Sequence, residues 1–260
     1  MDLQLKNKKV LVTASSGGIG RAIASTLASE GAEVIVNGRS EKTVEAARAV
    51  IGGKTLPLVA DLASAEGVAQ ATSEYPEVDI LVNNLGIYWE SPFEELSDED
   101  WMKIFEVNVM SGVRLTRHYF PKMLKANWGR VIFIASESGI MVPQEMIHYG
   151  FSKSAQLSIA AGLAQLTKRT GVTVNSVLPG PTQTDSVVDF MRSLMEGSEG
   201  KTPDQLGQEF IQEHRSSSLL GRLIKPSEIA SLVAYVASPL SAATNGAALK
   251  AEGGLVHSII

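Results

Sequence analysis

Seven short apolar runs alternating with helical patterns constrain the fold of this chain more than any other feature. The runs fall at 9–13, 33–37, 55–60, 79–83, 131–135, 172–177 and 247–251. Near-continuous apolar runs of this length read as strands buried on both faces, and strands separated by helices pair in parallel. The expectation is α/β: one doubly wound, seven-stranded parallel sheet in a single domain over 1–260, with ligands beyond the carboxyl ends of the strands. Pro57 cannot donate to a central ladder, so the third strand is expected at an edge.

Composition narrows the function classes. Apolar residues are 44% of the 260 and charged ones 20%, ordinary globular usage with no linker-like stretch. The formal charge of −5 comes with no basic block, which argues against nucleic acid, and the four His are scattered, which argues against a metal. The absence of Cys excludes disulfides, thiolate ligands and a cysteine nucleophile. The amino terminus lacks the apolar core of a signal peptide, and no apolar run approaches the roughly 18 residues of a membrane span. No membrane partner and a cytoplasmic location are therefore expected.

Polar residues gather where the strands end. The first run leads into Ala14-Ser15-Ser16-Gly17-Gly18-Ile19-Gly20 and a helical pattern over 21–30. Glycines let a backbone approach a pyrophosphate, and a helix amino terminus offers unpaired N–H groups, although the same residues also suit a plain tight turn. The second run ends at Asn37-Gly38-Arg39-Ser40, which offers an amide, a guanidinium and a hydroxyl but no carboxylate. An acid there accepts hydrogen bonds from an adenosine ribose; Arg39 suits a 2′-phosphate, or is a solvated turn residue. Asp61 and Leu62 follow the third strand. Asn83-Asn84-Leu85-Gly86 follows the fourth, and it suits either a backbone close to a ligand or an Asx turn.

Farther along, Ser97 opens a helical pattern that runs through Asn108 to about 125. Asn108 interrupts an apolar stretch, and a buried amide needs partners, so it marks a kink, a water site or both. Ser136 follows the fifth run, and its hydroxyl is expected at that strand's carboxyl end. Thirteen residues later come Tyr149 and Lys153, four apart and on one helix face. A free phenol titrates near pKa ~10, and a fixed ammonium beside it favours the phenolate. The pair is a proton-transfer device or, alternatively, an ordinary Tyr and Lys on a half-exposed helix. The stretch 185–221 is too long for a simple connection and is expected to be a substrate lid, with Gly197, Gly200 and Gly207 as hinges. Substrate contacts are expected from Ile87-Tyr88-Trp89-Glu90 and from 138–148, where Trp89, Met141 and Met146 are equally consistent with packing.

Taken in order, these features resemble the short-chain dehydrogenase/reductase family over essentially the whole chain. The family's Thr-Gly-x-x-x-Gly-x-Gly falls on Thr13 to Gly20, with Ala14 where Gly is usual; its Asn-Asn-Ala-Gly falls on Asn83 to Gly86, with Leu85 for a small residue. Both departures are expected to narrow the space near the cofactor. The resemblance implies a Rossmann-like sheet and a nicotinamide dinucleotide held by Thr13, Ser15, Ser16, Gly18, Ile19, Gly20, Arg39, Asp61, Leu62, Asn84, Gly86, Tyr149, Lys153, Pro179, Gly180, Thr182 and Thr184. It implies catalysis by Asn108, Ser136, Tyr149 and Lys153, with no metal. Tyr149 would move the proton that matches the hydride, Ser136 would steady the substrate oxygen, and Lys153 would lower the phenol pKa and bind the nicotinamide ribose. Asn108 would hold a water leading from Lys153 to solvent. NADP(H) is the expected dinucleotide, ahead of NAD, and the expected substrate is a small-molecule carbonyl or alcohol. A sensor, or a relative that does no redox chemistry, is the alternative. A homotetramer is expected from the apolar helices 98–125 and 149–170, with the tail 255–260 as a second contact.

Overall fold

The computed structural model describes residues 1–195 and 197–258. Seven strands form one parallel sheet in the order β3-β2-β1-β4-β5-β6-β7. They are β1 (Lys9–Val12), β2 (Glu33–Gly38), β3 (Lys54–Val59), β4 (Ile80–Asn83), β5 (Gly129–Ile134), β6 (Val172–Pro179) and β7 (Ala248–Ala251). Between them run α1 (Gly18–Ser29), α2 (Glu41–Ile51), α3 (Ala65–Glu74), α4 (Asp98–Phe105), α5 (Ser111–Ala126) and α6 (Ile147–Gln165). After β6 come α7 (Asp185–Leu194), α8 (Pro203–His214) and α9 (Pro226–Ala237). The doubly wound architecture read from the apolar alternation is the one observed. β3 is an edge strand, and Pro57 sits opposite Val36 of β2, where its missing N–H interrupts no second ladder.

Strand side chains alternate between two cores because the pleat has a period of two residues. Val10 and Val12 of β1, with Ile132 and Ile134 of β5, face a cluster built with Ile23 and Leu27 of α1 and Val233 of α9. Leu11, Val131 and Phe133 face the opposite cluster with Leu115, Tyr119 and Met123 of α5 and Ala160 and Ala164 of α6. The chain reverses direction between β1 and β4, so the connections leaving these neighbours diverge and open a crevice above their carboxyl ends.

The helical pattern over 98–125 is not one α-helix. A capping box between Ser97 and Asp100 starts α4, and a π-helical turn, Glu106–Met110, separates α4 from α5. Asn108 sits in that turn, so the polar interruption marks a change in helix geometry. At the other end of the chain Leu255 and Val256 are buried, which withdraws them as an oligomer contact; Ile259 and Ile260 lie outside the described residues. Among the described residues no helix is long and apolar enough to cross a membrane.

Candidate active site

A cleft of about 660 Å³ lies beyond the carboxyl ends of β1, β4, β5 and β6. Its floor is the turn after β1, where Ala14 holds φ 50° and Gly18 holds φ 53°. Ala14 thus takes a left-handed backbone that glycine adopts without strain. At Gly20 a Cβ would lie 2.5 Å from Asn84 Nδ2 and 2.6 Å from Ala14 O, so the packing admits no side chain there. Helix α1 starts above this turn with no side-chain cap and no acid in its first turn. Its amino-terminal N–H groups and positive dipole end therefore remain available to an anion. Ser16, Gly18, Ile19 and Gly20 all line the cleft.

Two residues expected to touch the cofactor act behind this surface. Thr13 is buried, and its Oγ1 accepts from the Asn84 and Leu85 N–H groups, each at 2.8 Å, which pins the exit of β4 to the exit of β1. Ser15 is fully buried; its Oγ donates to Val12 O at 2.7 Å and accepts from Asn37 N at 2.9 Å. Neither side chain lines the cleft, and neither do those of Asp61 and Leu62. Asp61 Oδ1 accepts from Ala63 N in its own turn, and Leu62 belongs to the core. Leu85 also packs against the core, so it does not narrow the cleft as expected from its size.

At the end of β2 the structure separates the three polar groups. Asn37 is buried, and its amide is fully engaged: Oδ1 accepts from Ala14 N, and Nδ2 donates to Leu58 O and Ala60 O. Ser40 caps α2 by accepting from Thr43 N. Of the three only Arg39 lines the cleft; it is exposed and has no ion pair among the described residues. Gly38 is closely walled, since a Cβ there would meet Val44 Cγ2 at 2.9 Å and Ser16 Cβ at 3.1 Å.

The polar wall of the cleft comes from β5, the segment after it, and α6. Ser136, Tyr149 and Lys153 all line it, as do Asn84, Gly86, Pro179, Gly180, Thr182 and Thr184. Lys153 is buried; Nζ donates to Ile134 O at 2.9 Å and to Gln156 Oε1 at 3.3 Å. Burial pulls its pKa down to about 8, with the carboxylate of Glu137 opposing the shift. Tyr149 is pushed up from the ordinary phenol value, first by burial and then by the Glu137 charge, while a hydrogen bond with Ser136 acts the other way. The lowering expected from Lys153, whose Nζ stands 5.6 Å from the Tyr149 ring centroid, does not set the direction.

Asn108 stands behind Gly86 rather than in the cleft; its Oδ1 would be 3.5 Å from a Cβ on Gly86. Its side chain clamps the chain after β4: Oδ1 accepts from Ile87 N at 2.8 Å, and Nδ2 donates to Ile87 O and to Ser152 Oγ, each at 2.9 Å. Its main-chain O accepts from Gln156 Nε2 at 2.5 Å. The Gln156 amide thus links the Asn108 carbonyl to the Lys153 ammonium.

Sequence reasoning missed two residues, one behind this wall and one in it. Gln156 is one; the signal was its position three after Lys153, on the same helix face. Glu137 is the other. It is buried, lines the cleft, accepts from Ser136 Oγ at 2.5 Å, and is raised in pKa by burial. An acid directly after the strand-end Ser136 was its signal.

The far side of the cleft is apolar and comes from the segment after β6. Thr184 caps α7, and Val187 and Phe190 of α7 join Phe210 of α8 in the lining. Tyr88 packs edge-on to both Tyr149 and Phe190, at 6.1 and 6.0 Å between centroids. Of the other substrate-contact candidates, Met146 lines the cleft, Trp89 packs on His148 at 4.4 Å, and Met141 is exposed outside it. No cluster of three or more His, Cys, Asp or Glu suited to a metal occurs among the described residues.

Residues 8–193 match the family model described as short chain dehydrogenase. The chain is 49% identical to an uncharacterized oxidoreductase, YvaG, of Bacillus subtilis (strain 168), with all of both chains covered. It is 36% identical to the 3-oxoacyl-[acyl-carrier-protein] reductase FabG of Escherichia coli (strain K12), over 97% of this chain and 99% of that one. Its structure resembles that of L-sorbose reductase from Gluconobacter frateurii complexed with NADPH and L-sorbose, with TM-score 0.91 and 28% identity over the whole of both chains. With the crevice at the reversal of strand order and the match over residues 8–193, the chain belongs to the short-chain dehydrogenase family.

Proposed function

We propose that this protein is an NADP(H)-preferring oxidoreductase that moves a hydride between a nicotinamide and the carbonyl or alcohol carbon of a small molecule. The observation that carries this reading is the meeting, in one cleft, of an uncapped helix start over a glycine floor with Ser136, Tyr149 and Lys153. The dinucleotide supplies the hydride when bound. Ser16, Gly18, Ile19 and Gly20 would receive its pyrophosphate, and Asn84, Gly86, Pro179, Gly180, Thr182 and Thr184 would frame its nicotinamide half. Thr13, Ser15 and Asn37 hold that cradle from behind. Asp61 and Leu62 would contribute through the backbone at the end of β3.

In this mechanism Tyr149 gives its phenolic proton to the carbonyl oxygen in reduction and takes it back in alcohol oxidation. Ser136 steadies that oxygen, and Lys153 supplies the positive charge beside the phenol and the nicotinamide ribose. Asn108 keeps the Gly86-Ile87 backbone in place. The test is turnover of pure protein with NADPH and a panel of carbonyl compounds. Dinucleotide binding without turnover of any of them would assign a sensing role instead.

The dinucleotide preference rests on the end of β2. Arg39 is free for a 2′-phosphate, and Gly38 carries no carboxylate to pair with a free ribose, while a side chain added there would crowd Val44 and Ser16. A charge-assisted hydrogen bond contributes roughly 1.5–3 kcal/mol, so Arg39 should give NADPH an advantage of about ten- to a hundredfold. The ratio of kcat/KM for NADPH over NADH should fall towards unity in Arg39→Ala, and salt should erode it in the wild type. A wild-type preference for NADH would overturn the assignment.

The segment 185–221 is proposed as a lid over the substrate. It has a small core of its own, in which Met191 of α7 meets Leu206, Phe210 and Ile211 of α8, and the Arg215 to Glu145 ion pair at 3.2 Å latches it to the segment before α6. Gly197, Gly200 and Gly221 hold positive φ in open space and suit hinges; Gly207 does not, because it packs in α8 against Leu223. Glu196 lies outside the described residues. Arg215→Ala should raise KM for the carbonyl by about two- to fivefold, the worth of a partly buried ion pair, and leave the NADPH Kd unchanged. Equal effects on both would make the segment part of the cofactor scaffold.

A homotetramer is the proposed assembly. Met102 of α4, Phe151 of α6 and Leu166 just beyond it are exposed by 57, 46 and 63%, an apolar surface suited to a symmetric contact. Light scattering at micromolar protein should give about four times the chain mass. A monomer would contradict this. A cytoplasmic location accords with the absence of Cys; recovery with membranes on cell fractionation would count against it.

A further inference from the structure

Gln156 stands between the two parts of the site that the chain brings from different elements. It is 2% exposed on α6, one turn after Lys153. Its partners fix the orientation of its amide: a main-chain carbonyl can only accept and an ammonium can only donate, so Nε2 faces Asn108 O and Oε1 faces Lys153 Nζ. The Asn108 carbonyl sits in the π-helical turn, and a carbonyl oxygen with two lone pairs can receive a donor from outside its own helix.

Lys153 has three donors. Ile134 O takes one and Gln156 Oε1 another, so the third remains for the cleft that Lys153 lines. Two acceptors on different sides of a buried ammonium fix where the remaining N–H points. Without Oε1 the ammonium would keep one backbone acceptor and could swing about it. The other titratable groups that face Lys153 are Glu137, from the segment after β5, and Tyr149 on α6 itself; β5 presents the Ile134 carbonyl, and the π-helical turn presents only Asn108 O, through Gln156.

We propose that Gln156 is a positioning residue, whose amide ties the Lys153 ammonium to the π-helical turn and aims its free N–H into the cleft. The proposal rests on the oxidoreductase reading for its catalytic consequence but not for its geometry.

The test compares wild type with Gln156→Met, which keeps length and loses both hydrogen bonds, and with Gln156→Glu, which keeps the acceptor and adds a charge. The Lys153 titration is followed by NMR of isotope-labelled lysine side chains, the signal being assigned by its loss in Lys153→Met. It is expected to fall by about one pH unit in Gln156→Met and to rise by at least about one unit in Gln156→Glu. In carbonyl reduction the alkaline limb of kcat/KM should move with it, and kcat should drop about tenfold in Gln156→Met with little change in KM, recovering in Gln156→Glu. A Lys153 titration that is unmoved in both variants overturns the proposal, whatever happens to Tm, because packing alone would then explain Gln156. Should wild type reduce no carbonyl, the oxidoreductase reading fails by itself, and the NMR titration still decides this one.

Discussion

Tyr149→Phe is expected to lower kcat for carbonyl reduction by about 10²–10⁴-fold, the usual contribution of a positioned acid, while NADPH affinity stays near wild type. The substitution removes one hydroxyl and keeps the ring, so the edge-on packing against Tyr88 survives and the fold should be little disturbed. The loss should appear in kcat and kcat/KM together, since the proton is delivered only in the transition state. Turnover close to wild type would sink the proton-transfer role.

The same phenol sets an expected pH dependence. Burial and the neighbouring Glu137 charge raise its pKa, so it holds its proton through neutral pH and is ready to act as an acid. Reduction should therefore be nearly flat through neutrality. Oxidation needs the phenolate, so its rate should climb as pH rises. A second group then intervenes, because Lys153 is cationic below about 8 and neutral above it. Losing that charge withdraws support from the phenolate and from the oxygen being protonated, so reduction should decline above about pH 8. A reduction profile that rises steadily into the alkaline range would contradict this ordering.

How much of the site was legible in the sequence depended on whether a residue's role was local. The strand at 9–13, its glycine turn and its helix could be read because apolar runs, glycines and helical spacing act within a few residues of each other. Pro57 marked an edge for the same reason, since one missing N–H is a property of one residue. Asn37 misled: its amide looked available at a strand end, yet the backbone of β3 consumes it, and that contact spans about twenty residues. Leu85 turned into the core and Gly207 into a helix contact, both decided by which partner packed against them. Asn108 was half legible. A polar residue in an apolar helix announced a demand for partners but could not name them, and Ile87, Ser152 and Gln156 became visible only once α5 and α6 lay side by side. Glu137 was overlooked because a carboxylate after a strand reads as solvated, whereas its turn packs against α6 and leaves it buried, with Arg215 near enough to act on its charge.

Lys153→Ala is the substitution expected to damage two functions together. Its ammonium is buried and reaches the cleft from a site fixed by Ile134 O and Gln156 Oε1. Removing it leaves two buried acceptors without a donor, at roughly 1–3 kcal/mol for an unsatisfied group, so a lower Tm is expected. That loss is shared by any role the residue has and discriminates nothing. The functional readouts do. Loss of a preorganised charge beside the reacting oxygen should reduce kcat by about 10²–10³-fold. Loss of a charge-assisted bond of roughly 1.5–3 kcal/mol to the nicotinamide ribose should weaken NADPH by about ten- to a hundredfold. Tyr149→Phe spares the second quantity and Lys153→Ala does not, so measuring Kd by fluorescence titration beside single-turnover rates in both variants separates the proton donor from the charge that supports it. An NADPH Kd unchanged in Lys153→Ala would remove the ribose contact, leaving Lys153 with the phenol alone.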